Sequence, residues 1–159
     1  MKKISLNGEW LYRVGFGNFS PITVPFSHLP VGRSECVRTF DVTQSSDRMF
    51  ILFDGITYGA QVYLNGIFLG EMLAYCEYEF EITAYVKPQG NELRVVLEDI
   101  NLDFGPSEGW ENFGGIIRDV SLLLRNEYYL KSVFFRLSDS QPFIPACHIN
   151  ESGINFKRS

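Results

Sequence analysis

The sequence predicts an all-β protein built as an antiparallel β-sandwich. Short runs of β-branched and aromatic residues recur along most of the 159-residue chain, with turn-forming Gly, Pro, Asn and Asp between them. Helical periodicity is almost absent. Many short strands separated by turn signals are typical of sandwiches, and a jelly roll of about eight or nine strands fits this length.

The N-terminal part predicts strands at residues 9–14, 36–42 and 48–53. The alternation in CVRTFDV indicates a strand, and the nearly continuous apolar run RMFILF indicates a strand buried on both faces. Residues 15–30 contain glycines and prolines at a density that excludes a regular helix, so we expect irregular structure there.

The strongest local signal is the sequence GAQVYLNGIFLG at residues 59–70. Two β-prone runs flank Asn65-Gly66, a pair that suits the positive φ angles of a type I′ turn, so we predict a tight hairpin. The alternation at residues 77–82 predicts a half-exposed strand. One helical turn is expected at 83–87, followed by a turn at 88–91.

Residues 91–125 consist of two hydrophobic runs separated by a polar loop that holds a Trp, a Phe, several carboxylates and an Asn. Strands of this kind are buried, whereas the loop between them can present side chains to a ligand. Beyond it, residues 128–137 predict a further strand. Residues 138–159 lose periodicity, and we expect poorly packed or incomplete structure there.

Composition excludes several classes of function. The formal net charge is −5 and the basic residues are scattered, which argues against a nucleic-acid partner. No stretch approaches transmembrane length and the first residues lack the apolar run of a signal peptide, so we expect a soluble, cytoplasmic protein with no membrane partner unless an export signal has been removed. Cys36, Cys76 and Cys147 lie far apart and are expected to be reduced, partly buried thiols.

The sequence offers no strong candidate for a catalytic residue. His28 and His148 lie outside any nucleophile-elbow context, and the loop carboxylates Asp99, Asp103, Glu108 and Glu111 sit together on one loop, where solvated or structural roles are commoner than catalysis. We therefore predict no catalytic residue, no cofactor and no metal. The oxygen ligands at alternate positions in residues 99–103 leave a calcium site open, although Gly105 comes one residue too late for a calcium loop.

Trp110 and Phe113 stand among polar residues, where a role in the core is not obvious. Flat rings stack on the apolar faces of sugars, and neighbouring Asn and Asp side chains supply hydrogen bonds to hydroxyl groups. The alternative is that Trp110 folds back to cap the edge of the sandwich.

An ordered series of motifs resembles the N-terminal sugar-binding domain of glycoside hydrolase family 2, which includes β-galactosidases, β-glucuronidases and β-mannosidases. The motifs are SLNGEW, RTFDV, FDGITYGAQVYLNGIFLG, FEITAYVKPQGNELRVVLED and GWENFGGIIRDVSLLL, within residues 4–125. GGIIRDVSL is similar to the family's GGIYRDVxL signature, with Ile117 where an aromatic residue is common.

The resemblance implies a galactose-binding-domain-like jelly roll over residues 1–125. Residues 126–159 would begin a truncated immunoglobulin-like domain or form an irregular tail. In the family, an immunoglobulin-like domain and a barrel carrying two catalytic glutamates follow, and nothing in this chain corresponds to those glutamates. The resemblance implies that Asn101 contacts the sugar in the barrel's active site; the alternative is that Asn101 caps a turn. It also implies structural roles for Arg38 and Arg118, which would tie parts of the framework together.

The leading hypothesis is therefore a non-catalytic carbohydrate-binding domain of a family 2 glycoside hydrolase. Asn101, Trp110 and Phe113 are its candidate substrate-binding residues, a β-glycoside its carbohydrate, and the immunoglobulin-like and barrel domains its partners. Two alternatives remain: a stand-alone carbohydrate-binding module, and a purely structural or oligomerisation β-sandwich.

Overall fold

A computed structural model describes residues 1–27, 32–98, 114–138 and 141–149, with the backbone course alone from residue 132 onward. All the regular secondary structure in these ranges is β-strand. No helix in them is long and apolar enough to cross a membrane.

The chain forms strands at the following positions: β1 Lys2–Ser5, β2 Gly8–Val14, β3 Ser20–Val24, β4 Ser34–Phe40, β5 Arg48–Phe53, β6 Gly59–Leu64, β7 Ile67–Leu73, β8 Tyr78–Glu81, β9 Asn91–Leu97, β10 Val120–Arg125, β11 Leu130–Ser138 and β12 Gln141–Ile149. A four-stranded sheet has the order β1-β10-β5-β8 and a six-stranded sheet the order β3-β2-β4-β9-β6-β7. Strands β11 and β12 form a separate two-stranded antiparallel sheet.

The core lies between the four-stranded and six-stranded sheets. Alternate residues of the strands point into it because successive side chains in a strand face opposite ways. In β6 the inward residues Ala60, Val62 and Leu64 are buried, and in β5 the inward set is Met49, Ile51 and Phe53. Trp10 is 1% exposed and its indole N–H donates to the Leu6 carbonyl at 2.8 Å, so this large ring is buried without an unpaired polar atom.

The predicted fold class is confirmed: the described chain is all-β, with two antiparallel sheets as the sandwich. β5 has the predicted bounds and is buried on nearly every residue. The Asn65-Gly66 hairpin is also confirmed, with φ angles of 52° and 83° that match a type I′ turn. The single helical turn expected at 83–87 is present as an isolated turn, because the Tyr85 and Val86 N–H groups donate to the Ile82 carbonyl at 2.9 and 3.0 Å.

Two predictions of irregular structure are wrong in part. Within 15–30, Ser20–Val24 is a strand at the edge of the six-stranded sheet, where Pro21 is tolerated because an edge strand does not need every backbone N–H. Within 138–159, Gln141–Ile149 pairs with β11 despite Pro142 and Pro145, since both strands of a two-stranded sheet are edges. With β1, the sandwich has more strands than the expected eight or nine.

Candidate functional site

One end of the sandwich collects segments that connect the two sheets. We call these segments the rim: residues 54–58 between β5 and β6, residues 74–77 between β7 and β8, Glu98 at the end of β9, and residues 114–119 before β10. Both ends of the β9–β10 connection therefore belong to the rim.

Backbone hydrogen bonds join the rim segments to one another. Thr57 and Gly115 form an isolated antiparallel bridge, with each N–H donating to the other carbonyl at 2.9 Å. The Glu98 N–H donates to the Gly59 carbonyl at 3.0 Å, and the Tyr75 N–H donates to Ile56 at 3.0 Å. Main-chain bonds of this kind fix the segments without depending on side-chain rotamers, so the rim is a stable frame.

Gly115 is the tightest point of this frame. Its φ is +147°, and a Cβ built there would lie 2.5 Å from the Phe26 carbonyl oxygen. The Phe26 N–H also donates to the Ile116 carbonyl at 2.8 Å, which holds the chain after β3 against the rim. Only glycine allows the two backbones to approach this closely, which gives a physical reason for the second glycine of the GGIIRDV motif.

Two tyrosines project from neighbouring rim segments. The ring centroids of Tyr58 and Tyr75 lie 6.1 Å apart with an interplanar angle of 79°, an edge-to-face contact. Burial raises the pKa of the Tyr58 phenol, and its side-chain hydrogen bond with Tyr75 raises the pKa further. Tyr75 is 57% exposed, and the Glu98 side chain on the same rim is exposed as well.

The candidate substrate-binding residues Asn101, Trp110 and Phe113 lie outside the described residues, as do His28 and the carboxylates of the 99–111 segment. Their roles remain predictions. The structure describes Glu98 before this segment and Gly114 and Gly115 after it, and backbone hydrogen bonds join Glu98 to Gly59 and Gly115 to Thr57.

Comparison with known proteins gives the family. Residues 33–105 match the family model described as glycosyl hydrolase 2 galactose-binding domain-like. The chain contains a galactose-binding-like domain of glycoside hydrolase family 2. The resemblance drawn from the sequence motifs is confirmed.

Relatives of this family 2 domain are much longer proteins. A β-galactosidase of Thermoanaerobacter pseudethanolicus is 34% identical over 110 residues, which are 63% of this chain and 15% of that protein. A β-glucuronidase of Bacteroides fragilis is 41% identical over 85 residues, 50% of this chain and 12% of that protein. The chain therefore spans 15% or less of the length of these two relatives.

Solved structures show the same fold. A β-glucuronidase from an uncultured Clostridium sp. superposes with a TM-score of 0.77 over 95% of this chain and 34% of that one, at 19% sequence identity. At this identity the similarity concerns the fold.

The contacts of Arg38 and Arg118 agree with the structural roles that the family resemblance implies for them. The Arg38 guanidinium on β4 donates to the Glu9 carbonyl on β2, so it links two strands. The side-chain stem of Arg118 lies over Gly55, with its Cδ 3.1 Å from where a Cβ would be, and its backbone N–H donates to the Gly55 carbonyl. Arg118 thus packs along the rim through its apolar stem.

Metal binding and reactive thiols are two further kinds of chemistry to consider for the described residues of the family 2 domain. Within the described ranges, no group of three or more His, Cys, Asp or Glu side chains is arranged to hold a metal ion; the calcium hypothesis concerns residues 99–103, outside those ranges. Cys36 is buried, and burial raises the pKa of its thiol to about 12, whereas Cys76 is exposed. The side chain of Cys147 is not among those described.

Sequence reasoning missed the tyrosine pair on the rim of the family 2 domain. Tyr58 and Tyr75 lie in short connections beside residues such as Gly59 and Ala74, and the sequence does not indicate that two connections separated by a hairpin meet in space. The available signal was an aromatic residue in a turn position, where core packing does not require one.

Proposed function

We propose that this chain acts as a non-catalytic carbohydrate-binding domain of a family 2 glycoside hydrolase and completes the substrate pocket of a barrel domain. The observation that carries the proposal is the rim, because it holds both ends of the segment that contains Asn101, Trp110 and Phe113. A loop with firmly anchored ends can present an amide and two aromatic rings to a β-glycoside in a reproducible position.

Three glutamates of the described sandwich are paired with arginines, which supports a non-catalytic role for these carboxylates. Glycoside hydrolysis needs a carboxyl group held protonated as the general acid. Instead, Glu79 pairs with Arg125, Glu35 with Arg13, and Glu81 with Arg48. The hydrogen bond from Arg48 lowers the pKa of Glu81. A cationic partner favours the ionised form of a carboxyl, which makes it a poor proton donor.

The partners in this proposal are the immunoglobulin-like and barrel domains implied by the family resemblance. The relatives' greater length supports a role within a multidomain enzyme. The free thiols of Cys36 and Cys76 are suited to a reducing compartment, in line with a cytoplasmic location.

Tryptophan fluorescence tests the binding step. The chain has two tryptophans, and Trp10 is 1% exposed and hydrogen-bonded in the core, so its emission should not respond to a sugar. Titration with methyl β-galactoside, methyl β-glucuronide and methyl β-mannoside should change the emission through Trp110, and the change should disappear in Trp110→Phe. No response to any of them at millimolar concentration would contradict binding by this domain and favour a purely structural role.

A hydrolysis assay tests the prediction that this chain is not catalytic. The purified chain should release no nitrophenol from nitrophenyl β-galactoside or β-glucuronide above the rate of buffer alone. Release that is lost on changing a carboxylate of this chain, such as Glu108→Gln, would overturn the non-catalytic assignment. An intact related β-galactosidase, assayed in parallel as the positive control, shows that the assay can detect turnover.

A further inference from the structure

Tyr75 adopts a backbone conformation that its side chain does not favour. Its φ is +63°, in the left-handed region, where a non-glycine residue is destabilised by about 1–2 kcal/mol. Its side chain is 57% exposed, so burial in the core does not offset this energy. The fold of the sandwich alone therefore does not account for a tyrosine at this position, where Gly or Asn would fit the backbone better.

The position of the Tyr75 ring is nevertheless well fixed. The Tyr75 N–H donates to the Ile56 carbonyl at 3.0 Å, which attaches the 74–77 turn to the segment carrying Tyr58. The Tyr58 ring contacts the Tyr75 ring edge to face, with the ring centroids 6.1 Å apart. An exposed aromatic ring that is already ordered loses little conformational entropy when a flat apolar surface stacks on it.

We propose that the exposed ring of Tyr75, held edge to face by Tyr58, forms a stacking platform for a pyranose ring of the carbohydrate, on the same rim as the anchored ends of the 99–113 segment. An aromatic face contacts the C–H face of a sugar, while a phenol can donate to and accept from its hydroxyl groups. This inference rests on the proposed function, because it assigns a further contact to the same carbohydrate-binding end of the domain.

The chain offers a variant that separates binding from folding. Tyr75→Gly removes the ring and relaxes the left-handed backbone, so the variant should unfold at the same or a higher urea concentration than the wild type. Tyr58→Leu is a second variant, which keeps an apolar side chain of similar bulk without an aromatic face. Tyr85→Ala is the matched control, since Tyr85 is 42% exposed in a turn at the opposite end of the sandwich.

Affinity for methyl β-galactoside and methyl β-glucuronide, measured by saturation-transfer NMR, gives the readout. Removal of the Tyr75 ring in Tyr75→Gly, or of the ring that holds it in Tyr58→Leu, should weaken binding of the preferred sugar about two- to tenfold, with no change in Tyr85→Ala. Saturation transfer to the ring C–H protons of the sugar should fall in the two rim variants.

The outcomes distinguish this inference from the proposed function. If the wild type and Trp110→Phe differ in affinity but Tyr75→Gly and Tyr58→Leu bind as the wild type does, the platform is wrong and the proposed function stands. If the wild type binds neither sugar, both are wrong. Equal loss in Tyr85→Ala and Tyr75→Gly would also overturn the platform.

Discussion

Asn91 is fully buried, and its side chain links three segments at the end of the sandwich opposite the rim. Its Oδ1 accepts from the Lys87 N–H at 2.7 Å and from the Asn65 side chain at 3.1 Å, while its Nδ2 donates to the carbonyls of Lys87 and Phe40. A buried amide with every bond made specifies the local structure, because each partner would otherwise lack a hydrogen bond.

Asn91→Ala should therefore destabilise the domain by about 3 kcal/mol, since it leaves buried backbone groups unpaired and opens a small cavity. Urea unfolding followed by circular dichroism measures this change. Asn126→Ala, at an exposed position, should change the unfolding free energy by less than about 0.5 kcal/mol. Equal effects from the two substitutions would contradict the structural role of Asn91.

Cys36 predicts a dependence of stability on pH. The folded pKa of about 12 lies above the ordinary value of 9.0, so the folded state holds the thiol proton more tightly than the unfolded state does. The resulting stabilisation is fully present below pH 9 and is lost as the pH rises towards 12.

Between pH 7 and 10.5, Cys36 should account for about 2 kcal/mol of lost unfolding free energy. Cys36→Ala should show a correspondingly smaller loss over this interval, whereas Cys76→Ala, at an exposed thiol, should keep the wild-type profile. Urea unfolding at each pH provides the comparison. A Cys36→Ala profile parallel to that of the wild type would refute the assignment.

At the scale of elements, two glycines with positive φ differ in how closely other atoms surround them. Gly66 in the β6–β7 turn has φ +83° and no atom within 4 Å of a built Cβ, whereas Gly115 has φ +147° and the Phe26 carbonyl at 2.5 Å. Of these two glycines, Gly115 is the one that combines a left-handed backbone with a close contact to the backbone of another chain segment.

Gly66→Ala should destabilise the domain by about 1 kcal/mol through backbone conformation alone. Gly115→Ala should destabilise it by about 3 kcal/mol or more, because the Cβ would force the rim away from Phe26. Hydrogen exchange should show faster exchange at the Phe26 and Thr57 amides in Gly115→Ala only. Similar exchange at these amides in both variants would contradict the rim as a frame.

The outer face of the four-stranded sheet carries a second cluster, made of Phe50, Leu52, Leu123 and Tyr129. The Arg125 guanidinium lies 4.8 Å from the centroid of the Phe50 ring and 4.5 Å from that of Tyr129. It also binds the Glu79 carboxylate through two nitrogens, one of them at 2.8 Å. The Arg125 side chain is 8% exposed, so the ion pair is largely removed from water.

Glu79→Ala should destabilise the domain by about 2–4 kcal/mol, since it leaves a largely buried guanidinium without its anion. The control is Glu77→Ala, two residues away and exposed, which should change stability by less than about 0.5 kcal/mol. Thermal and urea unfolding of the two variants decide between them. A Glu79 variant as stable as the Glu77 variant would show that the pair contributes little.

The strands that the sequence predicts correctly are those whose own residues, or the turn beside them, determine the local structure. The apolar run of β5 and the Asn65-Gly66 turn determine local structure directly. The sequence does not predict the strands β3 and β12 because their prolines argue against a strand. Proline is tolerated in a strand at the edge of a sheet, and only the complete sheets show which strands lie at an edge.

For the whole molecule, the same distinction holds at the candidate site. The motifs indicate the family and the segment that carries Asn101, Trp110 and Phe113, whereas the meeting of Tyr58 with Tyr75 and of Gly115 with Phe26 depends on tertiary structure. In the proposed function the rim is therefore the carbohydrate-facing end of the domain, and the turns around Asn91 are structural.

Chemical-shift mapping by NMR tests this division most directly. Addition of methyl β-galactoside or methyl β-glucuronide to the uniformly ¹⁵N-labelled chain should shift the amide signals of rim residues, including Tyr58, Tyr75, Glu98 and Gly115. The amides of Gly66, Tyr85 and Asn91 at the opposite end should not move. Shifts centred on that opposite end, or none with either sugar, would contradict the account.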